Sequence, residues 1–356
     1  MGIERPADLR CERRPSRDWR LHERASTGEV EGVAVSRRSS VHSTNFSVRA
    51  RENLFPVALE VITCPYHDGR RDTGMGLGAT ALAGDDRVRL GLEAAGPVSV
   101  GFVPPVDESL SEIARIIELD RRLAHRVRAA RRRRAFPLVF AGNCSSCLGT
   151  VAGVGTERLG VVWFDAHADF DTAEDNRSGF FDVMGLSILT GTGWTALRET
   201  IPGFAPVRER DVVLAAVRDL EPYQQLRLDK AEIRTVPRRV DRARLRTQLE
   251  ALSCDVERVY LHVDLDSLDA GVGHANRYAA PGGPSTEALI AAIGAVFERF
   301  RVEAAALTAY DPRFDADGAI AAAARQISAA IASGAGDQGR RRSVPGPQGP
   351  LSRGQT

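Results

Sequence analysis

The sequence predicts a three-layer α/β fold, helices on both faces of a mostly parallel sheet of about eight strands. Two observations carry this. Eight short apolar runs alternate with helix-length stretches. Two of those runs end in carboxylates at alternate positions, as strands do when they deliver ligands to the carboxyl edge of a parallel sheet. With 356 residues, 43% of them hydrophobic, the chain can bury one large core or two smaller ones.

In chain order, strands are expected at 58–64, 98–103, 137–142, 159–165, 212–218, 232–236, 258–265 and 304–310. Each is a run rich in Val, Ile, Leu or Ala bounded by turn residues. Helices are expected near 106–131, 145–153, 183–191, 221–230, 241–252, 285–300 and 318–332. Residues 1–55 are rich in Arg, Ser and Glu without sustained periodicity and read as a disordered extension. The domain is expected to occupy 56–333. Residues 334–356, with Gly-Ala-Gly-Asp-Gln-Gly and Pro-Gly-Pro-Gln-Gly-Pro, read as a disordered tail.

The net charge is +1, so no global field favours nucleic acid or a membrane surface. Arg126, Arg128 and Arg131 to Arg134 form a basic cluster at a helix end, read as solvated surface because no aromatic residues interleave it. No apolar run has membrane-spanning length, and the N-terminus lacks the apolar core of a secretory signal. Five cysteines form no evident disulfide framework, so a reducing cytoplasm is expected. Cys144-Ser-Ser-Cys147 has redox-pair spacing but no thioredoxin-like context.

The chemistry concentrates at two strand ends. Asp165-Ala-His167-Ala-Asp169 follows Leu159–Phe164, and an extended chain would turn its three ligand-type side chains to one face. Val259–Val263 likewise leads into Asp264 and Asp266, with His262 on the same face one step back. Paired carboxylates repel unless a cation or proton lies between them. Four Asp and one His exceed the needs of one metal, so a bridged pair of ions is expected, able to acidify a shared water.

Over residues 57–333 the chain resembles the ureohydrolases, the family of arginase, agmatinase and formiminoglutamase. The resemblance rests on Pro65–Gly76, Ala141-Gly-Asn-Cys-Ser145, Asp165–Asp169, Val217-Arg-Asp219, Val263–Asp269 and Pro281–Ser285. The signatures of the more distant histone deacetylases fit less well. The resemblance implies an arginase-like fold, a homo-oligomer, and two divalent ions, Mn2+ foremost, whose bridging hydroxide attacks a guanidinium carbon. Matched by position, it implies Asp165 and Asp264 as bridging ligands. His167 and Asp266 would complete one site, and Asp169 would serve the other.

Several positions depart from the family pattern. Cys144 stands where the family carries a ligand His; it is either a thiolate ligand, favouring Zn2+ or Fe2+ on that side, or a small buried thiol. Asp182 stands in the proton-shuttle position of arginases and is expected to pass a proton to the leaving amine. Asp171 replaces an Asn that holds the substrate α-carboxylate; a carboxylate there would cost a carboxylated substrate ~1–3 kcal/mol. Ser178 and Glu221 match substrate-binding positions, and Ala309 replaces the Glu that grips the guanidinium. His262 is expected to support the metal site from behind. His67 and His274 lie in Gly-rich loops near the site. The expectation is a hydrolase of a guanidine or amidine C–N bond, acting on a small cationic substrate rather than arginine. The alternative is a catalytically silent metal-binding or regulatory member of the fold.

Overall fold

The computed structural model describes residues 57–343; the expected disordered segment 1–55 and the end of the tail lie outside them. Eight parallel strands form one sheet: β1 (Leu59–Cys64), β2 (Val98–Phe102), β3 (Phe136–Ala141), β4 (Leu159–Phe164), β5 (Val212–Ala215), β6 (Arg234–Val236), β7 (Arg258–Asp264) and β8 (Arg301–Thr308). Their order is β2-β1-β3-β8-β7-β4-β5-β6. A small antiparallel ribbon, Tyr66–His67 with Arg70–Arg71, stands apart.

The helices are α1 (Gly76–Gly84), α2 (Asp86–Glu93), α3 (Glu112–Arg132), α4 (Cys147–Val154), α5 (Gly185–Leu189), α6 (Thr195–Arg198), α7 (Pro222–Leu228), α8 (Arg242–Ser253), α9 (Thr286–Arg299) and α10 (Ala319–Ser343). Two cores result, one on each face of the sheet. Val259, Leu261 and Val263 of β7 pack with α1, α2, α8, α9 and α10, whereas Tyr260 packs with α3, α4, α5 and α7. In β4, Val162 and Phe164 face the first layer while Val161 and Trp163 face the second. The two-residue period of a strand thus sorts the apolar side chains between layers.

All eight expected strands are present, with shifted ends. β5 stops at Ala215 because Ala216 takes a left-handed backbone (φ 73°), and β8 stops at Thr308 because Ala309 does the same (φ 61°). The left-handed region disfavours a Cβ, so each residue marks a forced turn at the edge that carries the site. α3 begins at Glu112, not 106, after Pro104-Pro105 and a turn at Asp107–Leu110. α1 and α2 were unexpected. α1 is Gly- and Ala-rich without an apolar stripe, and it serves close approach instead: a Cβ on Gly78 would lie 1.9 Å from the Tyr310 carbonyl oxygen.

The expected break after 333 does not hold, since α10 continues to Ser343. Tertiary docking overrides the helix-breaking glycines. Gly334 lies against the Phe297 ring, and Gln338 accepts from Val302 N (3.2 Å) while donating to Phe300 O (2.5 Å). The arginine cluster at the end of α3 lies at the surface as expected, with Arg132, Arg133 and Arg134 exposed, and part of it is also paired. Arg131 pairs with Glu303 at 2.5 Å, Arg133 pairs with Glu60, and Arg128 donates to Ala152 O and Pro202 O. Among the described residues, no helix is long and apolar enough to cross a membrane.

Candidate metal centre

Four adjacent strands, β3, β8, β7 and β4, bring the site together at their carboxyl ends. Cys144 follows β3, Thr308 ends β8, Asp264 ends β7 and Asp165 follows β4. Thr308 pairs in register with Asp264, and Phe164 with Val263, so residues far apart in the chain become neighbours.

Each Asp motif folds as the same local device. Asp165 Oδ1 accepts from His167 N at 2.7 Å, and Asp264 Oδ1 accepts from Asp266 N at 2.7 Å. A carboxylate accepting from the amide two residues on is the Asx-turn that Asp favours. The motif residues therefore converge through turns, not through the extended alternation expected from sequence. Asp169 takes a left-handed backbone (φ 47°), which ends the run of ligands and turns the chain toward α5.

Two tight groups of donor atoms result. Asp165, His167 and Asp266 form one; Cys144, Asp165 and His262 form the other; within each group the donor atoms lie within 4.8 Å of one another. Asp165 belongs to both. His167 Nδ1 lies 3.4 Å from Asp165 and 3.5 Å from Asp266, and its Nε2 lies 3.6 Å from Asp219. Asp264 touches the second group through the Cys144 Sγ, which donates to its Oδ2 at 3.0 Å. Asp169 lines the same cavity but joins neither group.

The electrostatics fit a cation. Burial, then mutual repulsion among Asp165, Asp264 and Asp266, pushes the carboxyls of Asp165 and Asp264 above their ordinary range. Burial with Asp165 and Asp182 does the same to Asp169. Burial alone would lower the His167 imidazole, but Asp266, Asp165 and Asp219 reverse this and hold it well above its usual value. Burial, then Asp264, raises the Cys144 thiol, and burial lowers His262. A buried carboxylate set of this kind, with one imidazole and little compensating positive charge, suits a divalent ion.

Asp182 is placed differently from the expected proton shuttle. Its Oδ1 accepts from Ser145 N at 2.6 Å, and its Oδ2 accepts from Asn143 Nδ2 at 2.7 Å and Cys144 N at 3.0 Å. The carboxylate clamps the Cys144 loop. Asp171 is likewise engaged, taking Tyr223 OH at 2.9 Å and Gln224 Nε2 at 3.0 Å. Ser178 closes a turn onto Asn176, and Glu221 caps α7 at the surface. Asp182 lines the cavity beside the metal groups; Asp171, Ser178 and Glu221 do not.

That cavity measures about 70 Å3 and is walled above the ligands by Met75, Phe180, Val183, Asn276, Tyr278 and Ala309. A second hollow of about 100 Å3 shares Met75, Asn276 and Tyr278 and adds His67, Arg277, Asp311 and Arg313. His274 lines neither. Larger hollows of about 480 and 520 Å3 lie elsewhere and include none of the metal-type side chains of the two groups.

Three supporting residues take roles that the sequence reading did not give them. Asn276 donates to Asp266 Oδ2 (3.0 Å) and Ala309 O (2.8 Å). Thr308 Oγ1 lies 3.1 Å from the Cys144 Sγ. Arg218 donates to the carbonyls of Asp266, Ser267, Leu268 and Ala280, pinning the loop after β7. Only Arg218 stood in a motif, Val217-Arg-Asp219; the other two lack a local signal.

A profile of the arginase family matches residues 61–333, which spans the whole of this site. The chain belongs to the arginase family. An arginase from Bacillus caldovelox is 33% identical over 231 residues, covering 60% of this chain and 77% of its own. The crystal structure of arginase from Bacillus cereus superposes with a TM-score of 0.68 at 25% identity, covering 77% of this chain and 98% of its own. Formimidoylglutamase from Bacillus subtilis shares the fold alone, with a TM-score of 0.62 at 16% identity and coverage of 84% and 95%. This member of the arginase family is thus a ureohydrolase-type hydrolase with an eight-stranded parallel sheet.

Proposed function

We propose that this arginase-family protein hydrolyses the C–N bond of a small guanidine or amidine with the help of two divalent ions. The observation that carries the reading is the pair of donor groups sharing Asp165 at the carboxyl ends of β4 and β7. Asp165, His167 and Asp266 would hold one ion, and Cys144 with Asp165 and Asp264 would hold the other. When bound, such a pair supplies Lewis acidity and a nucleophile from water near neutral pH.

The chain's own residues prepare that chemistry. Trp163 Nε1 donates to Asp165 Oδ2 at 2.9 Å, and Asn276 orients Asp266, so both carboxylates are fixed before a ligand arrives. Phe180 and Tyr278, stacked 6.1 Å apart, roof the cavity and offer aromatic faces to a planar cation while limiting water. The proposed substrate is not arginine. Asp171 is held by Tyr223 and Gln224, and neither Ser178 nor Glu221 reaches the cavity, so none of the three positions matched to an α-amino acid head lines it. Asp182 positions Cys144. A homo-oligomer in the cytoplasm, with no nucleic acid or membrane as partner, is part of the same proposal.

The test is purification without chelators, metal analysis, and ammonia and urea release from arginine, agmatine, guanidinobutyrate and formimino compounds side by side. About two metal equivalents are expected, with faster turnover of a compound other than arginine, and Asp264→Ala should abolish turnover. A clear preference for arginine overturns the substrate reading. Metal content of one equivalent or less with no release favours the silent reading, which Ala309 in place of a guanidinium-gripping carboxylate also supports.

A further inference from the structure

We propose that His262 is itself a ligand of the Cys144-side ion, its imidazole supplied from the sheet where the loop offers a thiol. The inference rests on the metal reading above and extends its ligand set. His262 lies on β7 two residues before Asp264, on the same face of the strand, and is fully buried. Its ring stacks on Trp163 at 3.6 Å and 12°, and the same indole holds Asp165 through Nε1. One aromatic side chain therefore positions both the imidazole and the shared carboxylate.

The two ring nitrogens have different surroundings. Nδ1 meets the Tyr260 hydroxyl at 2.8 Å, so the far nitrogen is fixed in orientation by a partner behind it, the arrangement that aims ligating histidines. Nε2 faces the Thr308 hydroxyl at 3.2 Å, and that hydroxyl lies 3.1 Å from the Cys144 Sγ and 3.5 Å from Val263 O. That hydroxyl has one proton, so when it donates to the thiol or the carbonyl it cannot also donate to a neutral Nε2. The ligand atom of the buried imidazole lies within 4.8 Å of the Cys144 sulfur and of an Asp165 carboxylate oxygen, and the Thr308 hydroxyl is the partner of Nε2.

Donor atoms within 4.8 Å of one another are near the roughly 3.3–3.8 Å spacing of ligand atoms in a tetrahedral zinc set. A thiol, an imidazole and a carboxylate favour Zn2+, Co2+ or Fe2+, whereas Asp165, His167 and Asp266 suit the harder Mn2+. The protein would then hold two unlike ions across Asp165.

The experiment uses the full chain and Co2+ alone as the probe. Titration of the wild type should give a near-ultraviolet thiolate-to-cobalt band. Cys144→Ser should remove that band, and His262→Gln should weaken the band-forming site about 100-fold. An unchanged affinity in a folded His262→Gln protein overturns the His262 assignment while leaving the metal centre intact. Absence of any Co2+ binding to the wild type overturns the metal reading itself. Because His262 is buried and its variant can unfold, X-ray absorption of His167→Ala protein carrying one equivalent of Zn2+ supplies a second measurement. Sulfur and imidazole in the same shell are expected; sulfur without imidazole overturns the proposal.

Discussion

At the scale of single residues, the ligand-type side chains were legible because strand-end motifs are local. Asp165, His167, Asp264 and Asp266 each announce themselves within a few positions of an apolar run. What surrounds them was not legible, because Asn276, Thr308 and Arg218 reach the site across the sheet or from distant loops. Asp182 carries contacts that matching by position did not assign to it. The sequence places it where a proton shuttle belongs, yet it accepts three hydrogen bonds from the Cys144 loop. Asp182→Asn would turn an amide donor toward the Ser145 or Cys144 N–H, leaving a buried donor unpaired at a cost of about 1–3 kcal/mol. The expected outcome is a lower melting temperature and weaker metal retention together. A variant of unchanged stability whose kcat alone falls, with an altered pH profile, would restore the shuttle.

At the scale of elements, strands were read more surely than helices. A buried parallel strand needs only a short apolar run, whereas α1 has neither an apolar stripe nor a strong helix former at its start. Its reason for existing is tertiary. Gly76 and Gly78 let the helix lie against the Pro65 and Tyr310 backbones, immediately beside Met75 and Ala309 of the cavity wall. Gly78→Ala would place a Cβ 1.9 Å from the Tyr310 carbonyl oxygen, an atom that cannot rotate away. Overpacking of this kind costs about 1–3 kcal/mol. The urea midpoint should fall with no change in m-value, and because the displaced loop carries Ala309, KM for the accepted substrate should rise as well. A Gly78→Ala protein as stable as wild type would show that α1 docks more loosely than its contacts imply. The same logic explains α10, whose glycines forecast an end near 333 while Gln338 and the Phe297 ring hold the helix ten residues further.

At the scale of the whole molecule, a near-balanced charge hides an uneven distribution: carboxylates gather at the site edge of the sheet, while arginines gather at the opposite edge around Glu303. β8 bulges between Val302 and Ala304, and Glu303 is only 8% exposed there. Arg131 of α3 bonds it at 2.5 Å, and Arg301 and Arg258 approach its Oε1 at 2.5 and 3.5 Å as ion pairs without hydrogen-bond alignment. Burial would raise this carboxyl, but the Arg131 bond and the three positive charges outweigh burial and hold it below its ordinary value. A carboxyl depressed in the folded state adds stability above its unfolded pKa, near 4.3, and loses it as pH falls through the folded value. Glu303→Gln would leave three guanidinium groups facing one another, costing about 2–4 kcal/mol at neutral pH. Denaturant unfolding of both proteins should show the same gap at pH 7 and pH 5, then a narrowing gap below about pH 4 as the wild-type carboxyl takes up its proton. A gap that stays constant through the acid range would mean that packing, not charge, makes Glu303 matter, and that the arginines would then be tolerating one another unaided.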